Sequence, residues 1–279
     1  MLTKLTDAQC QTLTKLTSKK RLKSYRRVMD GHERPALDLY VLDSQLSSLL
    51  HGYFRQIEVV LREQINKALT ATYGRYWFRI DEDGSTPAGL GNTCRDMVKK
   101  ARNELNREAG KSWSQSMHGI SPDKMVAELM MGFWAKLLAT PGDADHSSTI
   151  WSAGVDQVFN PQHISGSALW EQHDAMTICQ RLTWARNRVN HCESVVFGFP
   201  QKGMRHDEKQ LRLSPNLILE NCRSLAGRFS PELEQWLRSS HTADEILKHP
   251  LVESAWLQTE ARKDVLTENS APEGLWPLI

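Results

Sequence analysis

Leu42, Leu46, Leu49, Tyr53, Ile57, Leu61, Ile65 and Leu69 follow one another at intervals of three or four residues. Only an α-helix, with 3.6 residues per turn, returns side chains to one face at that interval. The stretch from about Ala36 to Tyr73 therefore reads as one long helix with a single buried stripe. Such a stripe needs partners, and the cheapest are other amphipathic helices. With 279 residues, the chain is long for one domain and short for two, so one helical body with appendages is expected.

The rest of the chain supplies helices of that kind. Ser18 can cap a segment carrying Leu22, Tyr25, Val28 and Met29, which Gly31 stops. Residues 74–91 hold Asp81-Glu82-Asp83-Gly84, Pro87, Gly89 and Gly91 and read as a loop. A polar, exposed helix is expected from Thr93 to Ala109. Ser121-Pro122-Asp123 opens another, which carries Val126, Leu129, Met130, Phe133, Trp134, Leu137 and Leu138 to a stop at Pro141-Gly142-Asp143. Ala168 to about Cys192 is a helix with Leu169, Met176, Cys179, Leu182, Ala185 and Val189 as its buried stripe. Ser214-Pro215 and Ser230-Pro231 repeat the opening signal, and Thr242 to Glu245 reads as a capping box. Beyond Thr259 the chain is polar, carries two prolines and is expected to be partly loose. No strand-type alternation persists, so the expected class is all-α.

Several functions are excluded at this level. No run of about 18 apolar residues suits a membrane span, and residues 1–20 lack the apolar core of a signal peptide. Five scattered cysteines without a CxxC pair fit neither a zinc site nor a disulfide framework, and the expected compartment is the cytoplasm. Net charge is only +2, but its distribution is uneven. Lys19, Lys20, Arg21, Lys23, Arg26 and Arg27 crowd the N-terminal stretch, and Arg181, Arg186 and Arg188 form a second group. Local patches attract phosphates regardless of the overall sum. A solvated helix face and an RNA-binding surface are both open readings of the first group.

The densest polar cluster is Arg186-Asn187-Arg188-Val189-Asn190-His191, at the end of an amphipathic helix. An Arg-x4-His pair alone says little, and Arg27 and His32 meet the same spacing. Asn187 lies one turn before His191, so its amide can hold the imidazole. Arg186 and His191 stand about 140° apart around a regular helix, a gap that a long arginine stem can close. The competing reading makes His191 a helix C-cap and the arginines ion-pair partners.

The run Arg186-Asn187-Arg188-Val189-Asn190-His191-Cys192-Glu193 resembles the signature of the Abi-like family, a branch of the HEPN superfamily. That signature usually reads Arg-Asn-Arg-(aliphatic)-Ala-His-His-Glu. Two further blocks agree: Ala36 to Arg62, with Glu58 and Arg62 near its end, and Val126 to Leu138, with Gly132-Phe133-Trp134 at its centre. Together they span Lys20 to Phe197. The resemblance implies a HEPN-type helical bundle over residues 34–200, with the loop insertion near 74–92. Residues 1–33 are then a basic helical segment and 201–279 a C-terminal helical extension. It also implies a homodimer whose shared cleft cuts single-stranded RNA without a metal or other cofactor, in abortive phage defence or as a toxin. Arg186 and His191 are then catalytic, and Asn187 is the polar residue that follows the motif arginine. Arg181, Arg188 and the N-terminal cations Lys19, Lys20, Arg21, Lys23, Arg26 and Arg27 are expected to bind the RNA. Two positions depart from the pattern: Asn190 replaces the usual alanine and Cys192 the second histidine.

The chemistry suits those side chains. RNA is cut when the ribose 2′-hydroxyl attacks the adjacent phosphorus, which needs a base, an acid and positive charge for the phosphorane. Histidine serves either proton role, and arginine offers charge-assisted donors. Two copies supply two histidines. Two rival readings remain: a non-catalytic protein that holds a structured RNA, and a protein–protein module of a toxin–antitoxin pair, with Trp134, Trp151, Trp170 and Trp184 as interface or core. A Cys192 nucleophile is disfavoured, because adjacent helical residues point about 100° apart.

Overall fold

Thr6 and Ser18 open the first two helices, α1 (Asp7–Leu16) and α2 (Lys19–Val28). The Thr6 and Ser18 hydroxyls accept from the backbone N–H groups of Gln9 and Arg21, donors that the first turn leaves unpaired. Buried Leu22, Tyr25 and Val28 form one face of α2, and its lysines form the other. The long apolar stripe forms α3 (Glu33–Tyr73), which starts three residues earlier than expected because Pro35 is tolerated in a first turn. Its buried line includes Leu42, Leu46, Leu50, Ile57, Leu61, Ile65 and Leu69, while Leu49 is only half-buried. Each fully buried aliphatic contributes about 1.5–3 kcal/mol.

This computed structural model describes residues 5–110, 120–143, 147 and 149–271. Among them the remaining α-helices are α4 (Asn92–Glu108), α5 (Pro122–Glu128), α6 (Met131–Leu137), α7 (Asp156–Phe159), α8 (Gln172–Asn190), α9 (Pro215–Phe229), α10 (Pro231–Ser239), α11 (Thr242–Leu247) and α12 (Pro250–Glu260). The chain forms two compact units. One contains Met1–Phe54, Trp184–Arg223 and Trp236–Ile279, and the other Arg55–Thr183 and Ser224–Gln235.

The fold is mainly helical, but it is not all-α. Strands β1 (Phe199–His206) and β2 (Lys209–Leu213) form an antiparallel hairpin, and β3 (Val265–Leu266) adds in parallel to β2. Asp207 and Glu208, both at positive φ, make the two-residue turn. Phe199, Leu211, Leu213, Val265 and Leu266 are the buried apolar residues of the sheet. Gly198, at φ +74°, precedes β1, and a Cβ there would lie 2.4 Å from Trp256 and 2.6 Å from the Leu213 carbonyl.

In the second unit, the helix expected from Ser121 to residue 140 is two helices. Leu129 and Met130 are extended between them, and Met130 is exposed instead of buried. The break is held from both sides. The Glu58 carboxylate accepts from the Met131 N–H at 3.0 Å, and Trp134 Nε1 donates to the Leu129 carbonyl at 3.0 Å. Ser121 makes no capping bond, whereas Ser214 and Ser230 cap as expected. Thr242 is the first residue of α11 and not its cap. The loop at 74–91 is packed: buried Trp77 and Phe78 join Phe133 and Trp134 in an aromatic cluster. Trp151 and Trp170 both stack with Phe159 in the same unit. Helix α4 is not wholly exposed, because it buries Cys94, Val98, Ala101 and Asn106. The loose tail expected after Thr259 is ordered as far as α12 and β3, and residues 272–279 lie outside the described residues. No helix among the described residues is long and apolar enough to cross a membrane.

Candidate functional site

Helix α8 starts at Gln172, later than expected, and Leu169 is exposed. Its end is built by a specific backbone turn. The Cys192 N–H donates to the Val189 carbonyl at 2.9 Å, and the Glu193 N–H reaches back to Arg188 at 3.0 Å. This pair of bonds is a Schellman motif, with His191 as C-cap and Cys192 in the left-handed conformation at φ +53°. Glycine or asparagine usually fills that position. The position where the resembled signature carries a second histidine is thus the left-handed residue of a helix-ending turn in this chain.

The last turn of α8 presents its polar groups in order. Arg186 is half-buried, and Asn187, Asn190 and His191 are exposed. Arg186 Nη1 donates to Asn187 Oδ1 at 3.4 Å. With the Asn190 amide turned so that its oxygen faces the guanidinium, it accepts from Arg186 Nη1 at 3.2 Å and Nε at 3.3 Å. The two asparagines therefore orient the arginine, where Asn187 was expected to hold the imidazole. The His191 ring faces solvent without a hydrogen-bond partner among the described residues.

The expected RNA-binding cations divide into four groups. Lys19, Lys20, Lys23 and Arg27 are exposed on α2. Arg26 forms a two-pronged pair with Glu33 at 2.6 and 2.7 Å, which lowers the Glu33 carboxyl below its ordinary value. Arg188 pairs with Glu193 at 2.5 Å and donates to the Ser194 carbonyl at 2.8 Å, with its side chain 16% exposed. Burial pushes the Arg188 value down. Those contacts are the ion pairing that the competing reading expected. Arg181 is 3% exposed, so an RNA-binding role is corrected: it shares the core face of α8 with Ile178 and Ala185, one turn to either side. Arg21 is half-buried. Its guanidinium donates to the Cys192 carbonyl and lies 6.0 Å from the centroid of the Tyr40 ring. The basic helix and the Arg-x4-His segment, which lie far apart in sequence, meet at this contact.

Two groups absent from the sequence reading complete the surroundings. Asp43, 3% exposed on α3, accepts from the Tyr25 hydroxyl at 2.6 Å and from the N–H groups of Val195 and Val196 at 2.7 and 2.8 Å. Burial raises its value, and the three donors oppose that shift. Burial and the Asp43 charge push the Tyr25 hydroxyl up as well. Asp43 thus ties α2 and the segment after α8 to α3. Beside it runs a groove of about 470 Å³, lined by Arg21, Ser44, Ser47, His51 and Asn190, among others. Among the described residues no group of three or more His, Cys, Asp or Glu is arranged to hold a metal ion.

No protein-family model matches the chain, and no curated protein or solved structure matches it either.

Proposed function

We propose that this chain is an Abi-like HEPN protein that works as a homodimer and cuts single-stranded RNA, in abortive phage defence or as a toxin. The observation that carries the proposal is that half-buried Arg186 and exposed His191 stand at one helix end, where Asn187 and, with its amide turned, Asn190 accept from the guanidinium. A guanidinium and an imidazole in that position can reach a phosphodiester, and a pair buried in the core cannot.

In this reading a pair of subunits brings two such sets to one scissile phosphate. One imidazole takes the 2′-hydroxyl proton as O2′ bonds to phosphorus. The other gives a proton to the 5′-oxygen as its bond to phosphorus breaks. Arg186 offsets the extra negative charge on the phosphoryl oxygens. The products are a 2′,3′-cyclic phosphate and a 5′-hydroxyl. Purified Arg186→Ala and His191→Ala proteins are expected to keep their helical circular dichroism and to cut at least about a hundredfold more slowly. Cleavage at the unaltered rate by either variant refutes the assignment.

The exposed cations of α2 support a second reading, in which the protein holds a structured RNA without cutting it. Such binding weakens steeply with salt, and the RNA is recovered intact.

A further inference from the structure

We infer that the groove beside the end of α8 is a subsite for a nucleotide phosphate of the RNA strand, with Arg21, Ser44, Ser47 and His51 as its ligands. This inference rests on the RNA reading above and adds a place where the strand lies beyond the scissile bond.

The groove is polar for reasons local to α3. Ser44, Ser47 and His51 recur at intervals of three and four, so they form one polar line along the helix, beside the buried line of Leu42, Leu46 and Leu50. The Ser44 and Ser47 hydroxyls and the His51 ring have no hydrogen-bond partner among the described residues. Opposite them stand Asn190 and Cys192 from the end of α8. Arg21 contributes a guanidinium that gives one bond to the Cys192 carbonyl, and its five N–H donors leave others for an anion. Two carboxylates also face this space, and both already have hydrogen-bond partners. Asp43 is held by Tyr25 and two backbone N–H groups, and Glu193 by Arg188. Arg21 supplies the guanidinium on the groove wall, and its positive charge also favours the ionised form of nearby Asp43.

Arg21 also lines a second depression of about 390 Å³, with Lys20, Ser24 and Arg188 around it. A phosphate chain can pass from the exposed lysines of α2, over Arg21, and along the serines to His51. Aligned hydroxyls and a cation suit successive phosphates and carry no base specificity.

The test uses the full chain in EDTA, with a fluorescein-labelled single-stranded RNA 12-mer and His191→Ala as the parent, so that RNA stays intact. Fluorescence anisotropy is expected to show Arg21→Gln raising the Kd about tenfold and lowering the slope of log Kd against log salt by about one. His51→Ala, at an exposed position where folding is not at stake, is expected to raise the Kd about fivefold, and in the NMR spectrum of the parent the His51 ring signals shift on adding RNA. If both variants bind as the parent does while the wild type cuts RNA, the subsite is wrong and the nuclease reading stands. If binding depends on Arg21 and His51 while the wild type cuts nothing, the subsite stands and the nuclease reading fails. A parent that binds no RNA overturns both.

Discussion

At Cys192 the backbone adopts a conformation that a side chain with a Cβ enters at a cost. The Schellman turn requires it, because the helix must reverse there to release His191 and to aim Val195 and Val196 at Asp43. Cys192→Gly is therefore expected to stabilise the protein by about 0.5–1 kcal/mol, read as a higher urea midpoint with an unchanged slope. An unchanged or lower midpoint contradicts this account of the turn. Arg186, Asn187 and His191 could be singled out as candidates in the sequence because they fall within one short run and because that run resembles a known signature. Asp43 and His51 were not, although each left a trace. Asp43 sits four residues after Leu39 and three before Leu46, so it occupies a core-facing position of α3. A buried carboxylate needs donors, and these come from α2 and from residues 195 and 196, which no local pattern links to α3. His51 gains meaning only once the end of α8 stands across the groove from it.

Among the elements, α2, α3 and α9 were readable because apolar periodicity and serine caps act within a few residues. The elements that escaped depend on distant partners. The break at Leu129 and Met130 needs the Glu58 carboxylate to receive the Met131 N–H, and continuous apolar spacing conceals it. The hairpin of β1 and β2 turns on Asp207-Glu208 without the glycine that marks such turns, and each strand buries only two side chains. What fixes that sheet is close approach at Gly198, where both Trp256 and the Leu213 carbonyl occupy the space of a Cβ. Gly198→Ala is expected to destabilise the protein by about 2–3 kcal/mol in urea, because overpacking adds to the cost of a positive φ. A loss below about 0.5 kcal/mol contradicts that packing.

For the whole molecule, a net charge of +2 conceals strong local pairing, and the acid limb of stability should reveal it. Buried Arg223 donates to Asp244 at 2.6 and 3.0 Å and to Glu220 at 2.6 Å, and its hydrogen bonds hold the Asp244 carboxyl below the ordinary 3.8. Stability from such a depressed carboxylate is present above its unfolded value and is lost as pH falls through the folded one. Asp244→Asn is thus expected to lower the Tm at pH 7, with the gap to wild type closing as the pH drops below about 3.8. A gap of constant size from pH 7 to pH 2 contradicts the pairing. The proposed pairing of two protomers and the proposed RNA target rest on the resemblance alone, because one chain's periodicity carries no record of a partner's surface. The proposed activity has a direct assay: labelled single-stranded RNA incubated with the purified protein in EDTA, with the fragment ends identified by mass spectrometry. The account predicts fragments ending in 2′,3′-cyclic phosphate and beginning with 5′-hydroxyl, and none when the nucleotide at the cut carries a 2′-deoxyribose. Intact RNA, or fragments with 3′-hydroxyl and 5′-phosphate ends, contradicts it.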